Sequence, residues 1–205
     1  MSMKLVLASN NAKKLAELQA LFAPLGVELV TQGSLGIAEA EEPFESFVEN
    51  ALAKARHAAA ASGLPALADD SGLAVDALDG APGVLSARYA TLFGQPKSDA
   101  DNNRVLLEQL AGKGAGPHRA QFVCALVAVR SAKDPVPLIA MGRWQGQILP
   151  AAQGEGGFGY DPLMFIPNLG RSVAQLSAQV KNQLSHRALA AGSLVQQFKE
   201  VWQLG

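Results

Sequence analysis

With a single cysteine, Cys124, the chain has no partner for an intramolecular disulfide. No apolar run reaches the roughly 18 residues that a bilayer-crossing helix needs. Met1-Ser2-Met3-Lys4 leads into a strand-like segment, not into the longer apolar stretch of a signal peptide. A reducing, cytoplasmic setting with no membrane partner is therefore expected. Charge is also scarce: Asp, Glu, Lys and Arg make up 17% of the chain and the net charge is -1. No global field draws such a protein to nucleic acid or to an anionic surface, so no nucleic-acid partner is expected. A nucleotide-sized substrate, which needs only a local positive pocket, stays open. The P-loop pattern G-x-x-x-x-G-K-[ST] is missing, and so are kinase motifs, which argues against a phosphotransferase. Repeats and low-complexity tails are missing too, so residues 1–205 read as one folded unit.

What is present is a core-forming composition, 49% apolar residues in 205, long enough to fold without disulfides or structural metal. Lys4 to Ala8 reads as a buried strand. Leu15, Leu18, Leu21 and Phe22 then form a helical stripe that Pro24 and Gly26 end, and Val27 to Val30 resumes as a strand. This strand-helix-strand opening is an α/β signature. A second helix is predicted from about Phe44 to Ala61. Ala66 to Ala68 and Leu73 to Val75 read as strand pieces flanking an acidic turn. Ser98 and Asp101 resemble a capping box ahead of Val105, Leu106 and Leu110. Arg119 to Arg130 is the longest strand candidate, with Pro137 to Gln147 beside it. Leu194, Val195, Phe198, Val201 and Trp202 give a final helix one apolar face. Cys124, inside Phe122-Val123-Cys124-Ala125-Leu126, reads as a buried small residue and not a nucleophile.

Four stretches carry chemistry. Ser9-Asn10-Asn11-Ala12-Lys13-Lys14 is a polar loop between a buried strand and a helix start. Its outward N–H groups and lysines suit an anion, and its asparagines equally suit plain N-capping. Leu67-Ala68-Asp69-Asp70-Ser71-Gly72 sets two carboxylates side by side. Like charges that close need a cation or hydrogen bonds, and Mg²⁺ meets the need with one or two carboxylates plus substrate phosphates; an exposed Asp-Ser-Gly turn is the competing reading. Glu39, Glu41 and Glu42 form a second acidic patch, either helix-dipole partners or further ligands.

Gly154-Glu155-Gly156-Gly157-Phe158-Gly159-Tyr160-Asp161-Pro162 contains G-x-G-x-x-G, but Pro162 opposes the helix that a dinucleotide fold would start there. A glycine-rich loop with two aromatics fits a flat base instead, against an ordinary flexible connection. Lys181 and Ser185-His186-Arg187 precede the last helix. With Ser185 as N-cap, the cations His186 and Arg187 would sit at the end of the helix where the dipole disfavours them, a misfit that marks function.

Together these stretches resemble the house-cleaning inosine/xanthosine triphosphate (dITP/XTP) pyrophosphatases over nearly the whole chain. Ser9-x-Asn11-x-x-Lys14-x-x-Glu17 is similar to their N-terminal signature. Phe47-Val48-Glu49-Asn50-Ala51 with Lys54-Ala55, Ala68-Asp69-Asp70-Ser71-Gly72-Leu73, Gly80-Ala81-Pro82-Gly83 and Ser86-Ala87-Arg88-Tyr89 follow in order, then Gly157-Phe158-Gly159-Tyr160-Asp161-Pro162 and Ser185-His186-Arg187. The resemblance implies an α/β fold: an elongated mixed β-sheet with flanking helices, in two lobes around a central active-site cleft, assembled as a homodimer. It implies Mg²⁺-dependent hydrolysis of ITP, dITP and XTP between the α- and β-phosphates, giving the monophosphate and pyrophosphate. By position, Ser9, Asn10, Asn11, Ala12, Lys13 and Lys14 would hold the triphosphate. Glu41 and Asp70 would bind Mg²⁺, with Asp70 as proton acceptor and Asp69 as its support. Ser71, Phe158, Gly159, Tyr160, Asp161, Lys181, His186 and Arg187 would contact substrate, and Lys54 would reach a phosphate. A pyrophosphatase for other nucleotides and a non-catalytic nucleotide sensor are the alternatives.

Overall fold

The computed structural model describes residues 3–204. Its strands are β1 (Met3–Leu7), β2 (Val27–Thr31), β3 (Ala66–Val75), β4 (His118–Val129), β5 (Leu138–Ile148), β6 (Met164–Ile166) and β7 (Arg171–Ser172). They form a 7-stranded sheet in the order β2-β1-β3-β4-β5-β6-β7. β1 runs parallel to both β2 and β3, while β6 is antiparallel to β5 and β7, so the sheet is mixed. The helices are α1 (Ala12–Phe22), α2 (Phe47–Ser62), α3 (Asp99–Ala111), α4 (Ala178–Leu184) and α5 (His186–Val201). The predicted α/β class with flanking helices is the observed one. The chain separates into two compact units.

The first unit comprises residues 1–70, 124–142 and 187–205. Leu5–Leu7 of β1, Ala66–Asp70 of β3 and Cys124–Val129 of β4 are buried on both faces, as expected for inner strands covered by helices on either side. Successive residues point to opposite faces, and the core divides accordingly. Leu5, Leu7, Leu67, Cys124 and Leu126 pack with Leu18 and Phe22 of α1 and with Leu194 and Phe198 of α5. Val6, Ala8, Ala66, Ala68, Ala125 and Val127 pack with Ala51, Ala55 and Ala58 of α2. The small residues on that second side let α2 lie close to the strands. Val201, placed on the apolar face in the sequence reading, is instead 43% exposed, whereas Trp202 is buried.

The second unit comprises residues 71–123 and 143–186. Its core gathers Leu73, Val75, Tyr89, Val105, Leu106, Trp144, Tyr160 and Leu163. Ser98 caps α3 by accepting from the Asp101 N–H at 3.0 Å, and its hydroxyl donates to Asp101 Oδ2 at 2.7 Å. The predicted cap is present, but the box is not closed, because Asp101 bonds the Ser98 hydroxyl and not its N–H.

Two sequence expectations fail locally. The Asp69-Asp70 segment is not a turn between two strand pieces: β3 runs unbroken from Ala66 to Val75, and both aspartates are buried within it. Strands are poor in Asp, but here buried cations offset the charge, so the strand need not break. The second helix starts at Phe47 and not near Phe44. The Asn50 side chain accepts from the Phe44 N–H and donates to the Phe44 carbonyl, each at 3.0 Å, which uses both backbone groups outside the helix. Ser46 then takes the cap position.

Candidate functional site

Asp69 is the centre of a buried ion network in the first unit. Arg187 Nε donates to Asp69 Oδ2 at 2.7 Å, Lys14 Nζ pairs with Asp69 Oδ1, and Arg187 Nη1 pairs with Glu17. The Cys124 thiol lies 3.3 Å from Asp69 Oδ2. Burial alone would raise the Asp69 pKa, but Arg187 and Lys14 outweigh it and hold the carboxyl well below its ordinary range. The same burial and the neighbouring carboxylate push the Cys124 thiol well up, so it stays protonated and inert, as the sequence reading has it.

Asp70, the next residue, faces a different environment. Lys54 Nζ sits 2.9 Å from Asp70 Oδ1 and 2.7 Å from Glu42 Oε1. Burial raises the Asp70 pKa, Lys54 opposes this, and the Glu42 charge adds to it, with a net upward shift. For Lys54, burial lowers the pKa but Asp70 and Glu42 prevail, so the ammonium is retained. Asp70 Oδ2 is buried and has no hydrogen-bond partner. Neighbours in sequence, the two aspartates thus differ in kind: Asp69 is a locked anion, and Asp70 has a perturbed pKa and an open oxygen. Glu41 is exposed, and Glu42 is the glutamate that the structure brings to Asp70.

The loop before α1 is fixed by its own side chains. Asn11 caps the helix, its Oδ1 accepting from the N–H groups of Lys13 and Lys14 at 3.0 and 3.1 Å, and Ser9 Oγ accepts from the Asn11 N–H. Asn10 bonds across the loop, with Oδ1 accepting from Gly33 N–H at 3.0 Å and Nδ2 donating to Glu39 at 3.2 Å. Capping is therefore real. It also holds the helix start, with Ala12 its first residue, and the exposed Lys13 beside the Lys14–Asp69 pair.

In the second unit the glycine-rich segment is a pinned cradle, not a flexible connection. Asp161 Oδ2 accepts from the Phe158 N–H at 2.9 Å and from Lys181 Nζ at 2.7 Å. The Lys181 ammonium lies 4.3 Å from the centre of the Phe158 ring, a cation–π contact. Helix α3 grips Gly159 from both sides: its N–H donates to Asp99 Oδ2 at 2.7 Å, and its carbonyl accepts from Asn103 Nδ2 at 2.9 Å. Tyr160 is buried and donates to the Ser86 carbonyl at 2.9 Å. Gly157 has φ +75°, and a Cβ there would fall 2.0 Å from Asp161 Oδ2, so only glycine fits.

His186 is buried at the start of α5, its ring stacked on Phe122 with centroids 4.9 Å apart and 24° between the planes. Ser185 ends α4, its N–H donating to the Lys181 carbonyl at 2.9 Å. Ser71 is half-buried just after Asp70. The next residue, Gly72, clears Ser86, whose hydroxyl accepts from the Leu73 N–H at 2.9 Å.

Within the first unit, therefore, the structure gathers Lys14, Asp69, Arg187 and Glu17, and beside them Asp70, Lys54 and Glu42. Within the second it gathers Phe158, Gly159, Tyr160, Asp161 and Lys181. The sequence reading missed the roles of Glu42, Phe122, Asp99 and Asn103. Only Asp99 and Asn103 carried a local signal, their i,i+4 spacing on the first turns of a capped helix.

Among the described residues no cluster of three or more His, Cys, Asp or Glu side chains is set to hold a metal. The open buried oxygen of Asp70, with Glu42 across from it, does fit a hard divalent ion that takes one or two carboxylates and completes its shell with phosphate and water.

The comparisons with known proteins agree in extent with this arrangement. The model of the Ham1 family matches residues 5–197. The dITP/XTP pyrophosphatase of Leptothrix cholodnii is 62% identical over 213 residues, covering 98% of this chain and 100% of that protein. That of Methylibium petroleiphilum is 63% identical over 208 residues, covering 98% and 99%. Among solved structures, a HAM1 protein from Coxiella burnetii superposes with a TM-score of 0.90 at 43% identity, covering 97% of this chain and 100% of its own. With the family model matching residues 5–197 and so most of both units, the chain belongs to the Ham1 family.

Proposed function

We propose that this chain hydrolyses non-standard purine nucleoside triphosphates, ITP, dITP and XTP, at the α–β bond, releasing the nucleoside monophosphate and pyrophosphate and so clearing them from the nucleotide pool. The relatives named dITP/XTP pyrophosphatase, about 60% identical over nearly the full length, support the activity. The observation that carries the chemistry is the contrast between Asp69 and Asp70. A carboxylate held far down by Arg187 and Lys14 is a poor proton acceptor, whereas a buried carboxylate with a raised pKa and an open oxygen is a good one.

In this reading Asp70 orients the attacking water and takes its proton. Lys14 and Lys54 stabilise the charge that builds on departing pyrophosphate, and Lys13 with the α1 N-terminus holds the phosphate chain. Asp70 and Glu42 would hold Mg²⁺, with Glu41 as the alternative ligand by register; a bound Mg²⁺ supplies charge neutralisation at the phosphate oxygens. In the second unit Phe158 offers its face to the base, with Tyr160, Lys181 and Asp161 fixing the loop around it. Donors from His186 and the loop backbone would donate to a keto oxygen at C6 and leave the amino group of adenine unmatched, a discrimination that reaches about 10⁴–10⁵-fold in favourable sites.

The reading treats residues 1–205 as one nucleotide domain with the two units as its lobes, working as a cytoplasmic homodimer. No helix of the described residues is long and apolar enough to cross a membrane. Light scattering on the purified protein checks the dimer. The deciding assay is pyrophosphate release from ITP, dITP, XTP, GTP and ATP, with and without Mg²⁺. Orthophosphate as the sole product, or full activity in EDTA, would overturn the mechanism. Equal rates on ATP would overturn the substrate class.

A further inference from the structure

Lys54 bridges two carboxylates where the divalent ion of the proposed reaction would belong. Its ammonium lies 2.9 Å from Asp70 Oδ1 and 2.7 Å from Glu42 Oε1, with the lysine side chain only 12% exposed. One positive charge between two negative ones leaves a residual negative charge, and the second oxygen of Asp70 stays buried without a hydrogen bond. Lys14 adds a more distant positive charge to Asp70, yet its second oxygen still has no donor. A divalent ion on the same carboxylates would lie within a few ångströms of the ammonium, and the two cations would repel strongly at that range. Lys54 stands on α2 with a flexible four-carbon stem, so the ammonium can leave while the backbone stays.

We propose that Lys54 is the resident counter-ion of the metal site, displaced from Asp70 and Glu42 when the divalent ion enters and then taken up by the triphosphate. This deepens the pyrophosphatase reading and rests on it for the identity of the polyanion. The consequence is positive coupling. Metal alone must expel Lys54 into water, whereas metal with nucleotide gives the expelled charge a partner, so each ligand tightens the other by the same factor.

The test uses Mn²⁺ as the probe, with free ion counted by electron paramagnetic resonance, with and without non-hydrolysable α,β-imido-ITP. The wild type is expected to bind Mn²⁺ weakly alone and about tenfold or more tighter with the nucleotide, a typical coupling. Lys54→Met is expected to bind Mn²⁺ alone about tenfold tighter than wild type, to lose part of the coupling, the rest coming from phosphate on the ion, and to gain more thermal stability from Mn²⁺. Lys54→Gln, which keeps hydrogen bonding without charge, should behave like Lys54→Met and serves if the methionine variant fails to fold. Lys54→Arg should keep the weak metal binding of the wild type. Unchanged or weaker Mn²⁺ binding in the neutral variants, or undiminished coupling, would overturn the proposal. Pyrophosphate release by the wild type is read separately, so failure of the activity and failure of the counter-ion are distinguishable.

Discussion

Arg187 donates from Nε to Asp69 Oδ2 at 2.7 Å across 118 residues of sequence, with both side chains withdrawn from solvent. A pair so placed is retained as a unit, because removing one member leaves the other charge buried and uncompensated. Asp69→Ala is expected to lower the unfolding free energy by about 3–5 kcal/mol, read from urea denaturation curves. A cost within error of zero would show that the network contributes nothing to the fold.

The same network sets an acid limit on stability. The folded pKa of Asp69 is depressed, so its contribution is complete above the unfolded value near 3.8 and is lost as pH falls through the folded value. Asp70, with its raised pKa, has the opposite sign: its contribution is complete below the unfolded value and is lost as pH rises through the folded one. Wild-type stability should therefore fall steeply below about pH 4, and Asp69→Asn should flatten that limb. Denaturation midpoints measured between pH 2 and pH 7 check the sign.

Asp70→Asn keeps the size of the side chain and removes the proton acceptor and one metal oxygen. Turnover of ITP is expected to fall about 10²–10⁴-fold, with the circular dichroism spectrum unchanged. A wild-type rate in that variant would remove Asp70 from the chemistry.

Gly157→Ala tests the cradle. The added methyl would meet Asp161 Oδ2 at 2.0 Å on a backbone with φ +75°, so Asp161 must leave Lys181 or the loop must move. The expected outcome is a loss of about 1–3 kcal/mol of stability and a rise in KM for ITP larger than the fall in kcat. Steady-state kinetics beside thermal unfolding separates the two effects.

The elements came through from the sequence where local rules act alone: the β1-α1-β2 opening, the Ser98 cap of α3 and the long β4 strand. What did not come through depended on partners far away in the chain. Asp69 and Asp70 read as an acidic turn between two strand pieces because Asp is rare in strands, and nothing near them reveals that Arg187 and Lys14 neutralise one while Lys54 holds the other. Glu42 could not be singled out among the glutamates of 39–42, because the choice is made by which one α2 brings its lysine to. Likewise the stacking of His186 on Phe122 joins residues 64 apart, with no pattern between them.

Gly159 is held at its N–H by Asp99 and at its carbonyl by Asn103, while its neighbour Tyr160 is tied to Ser86 and Asp161 is tied to Lys181. The main chain beside Phe158 is thus tied to its surroundings at each residue from Gly159 to Asp161. Selectivity among bases would then be a property of shape decided before the ligand arrives. Retuning it calls for exchanging side chains on an unchanged frame, and loosening the frame would cost affinity for every base alike.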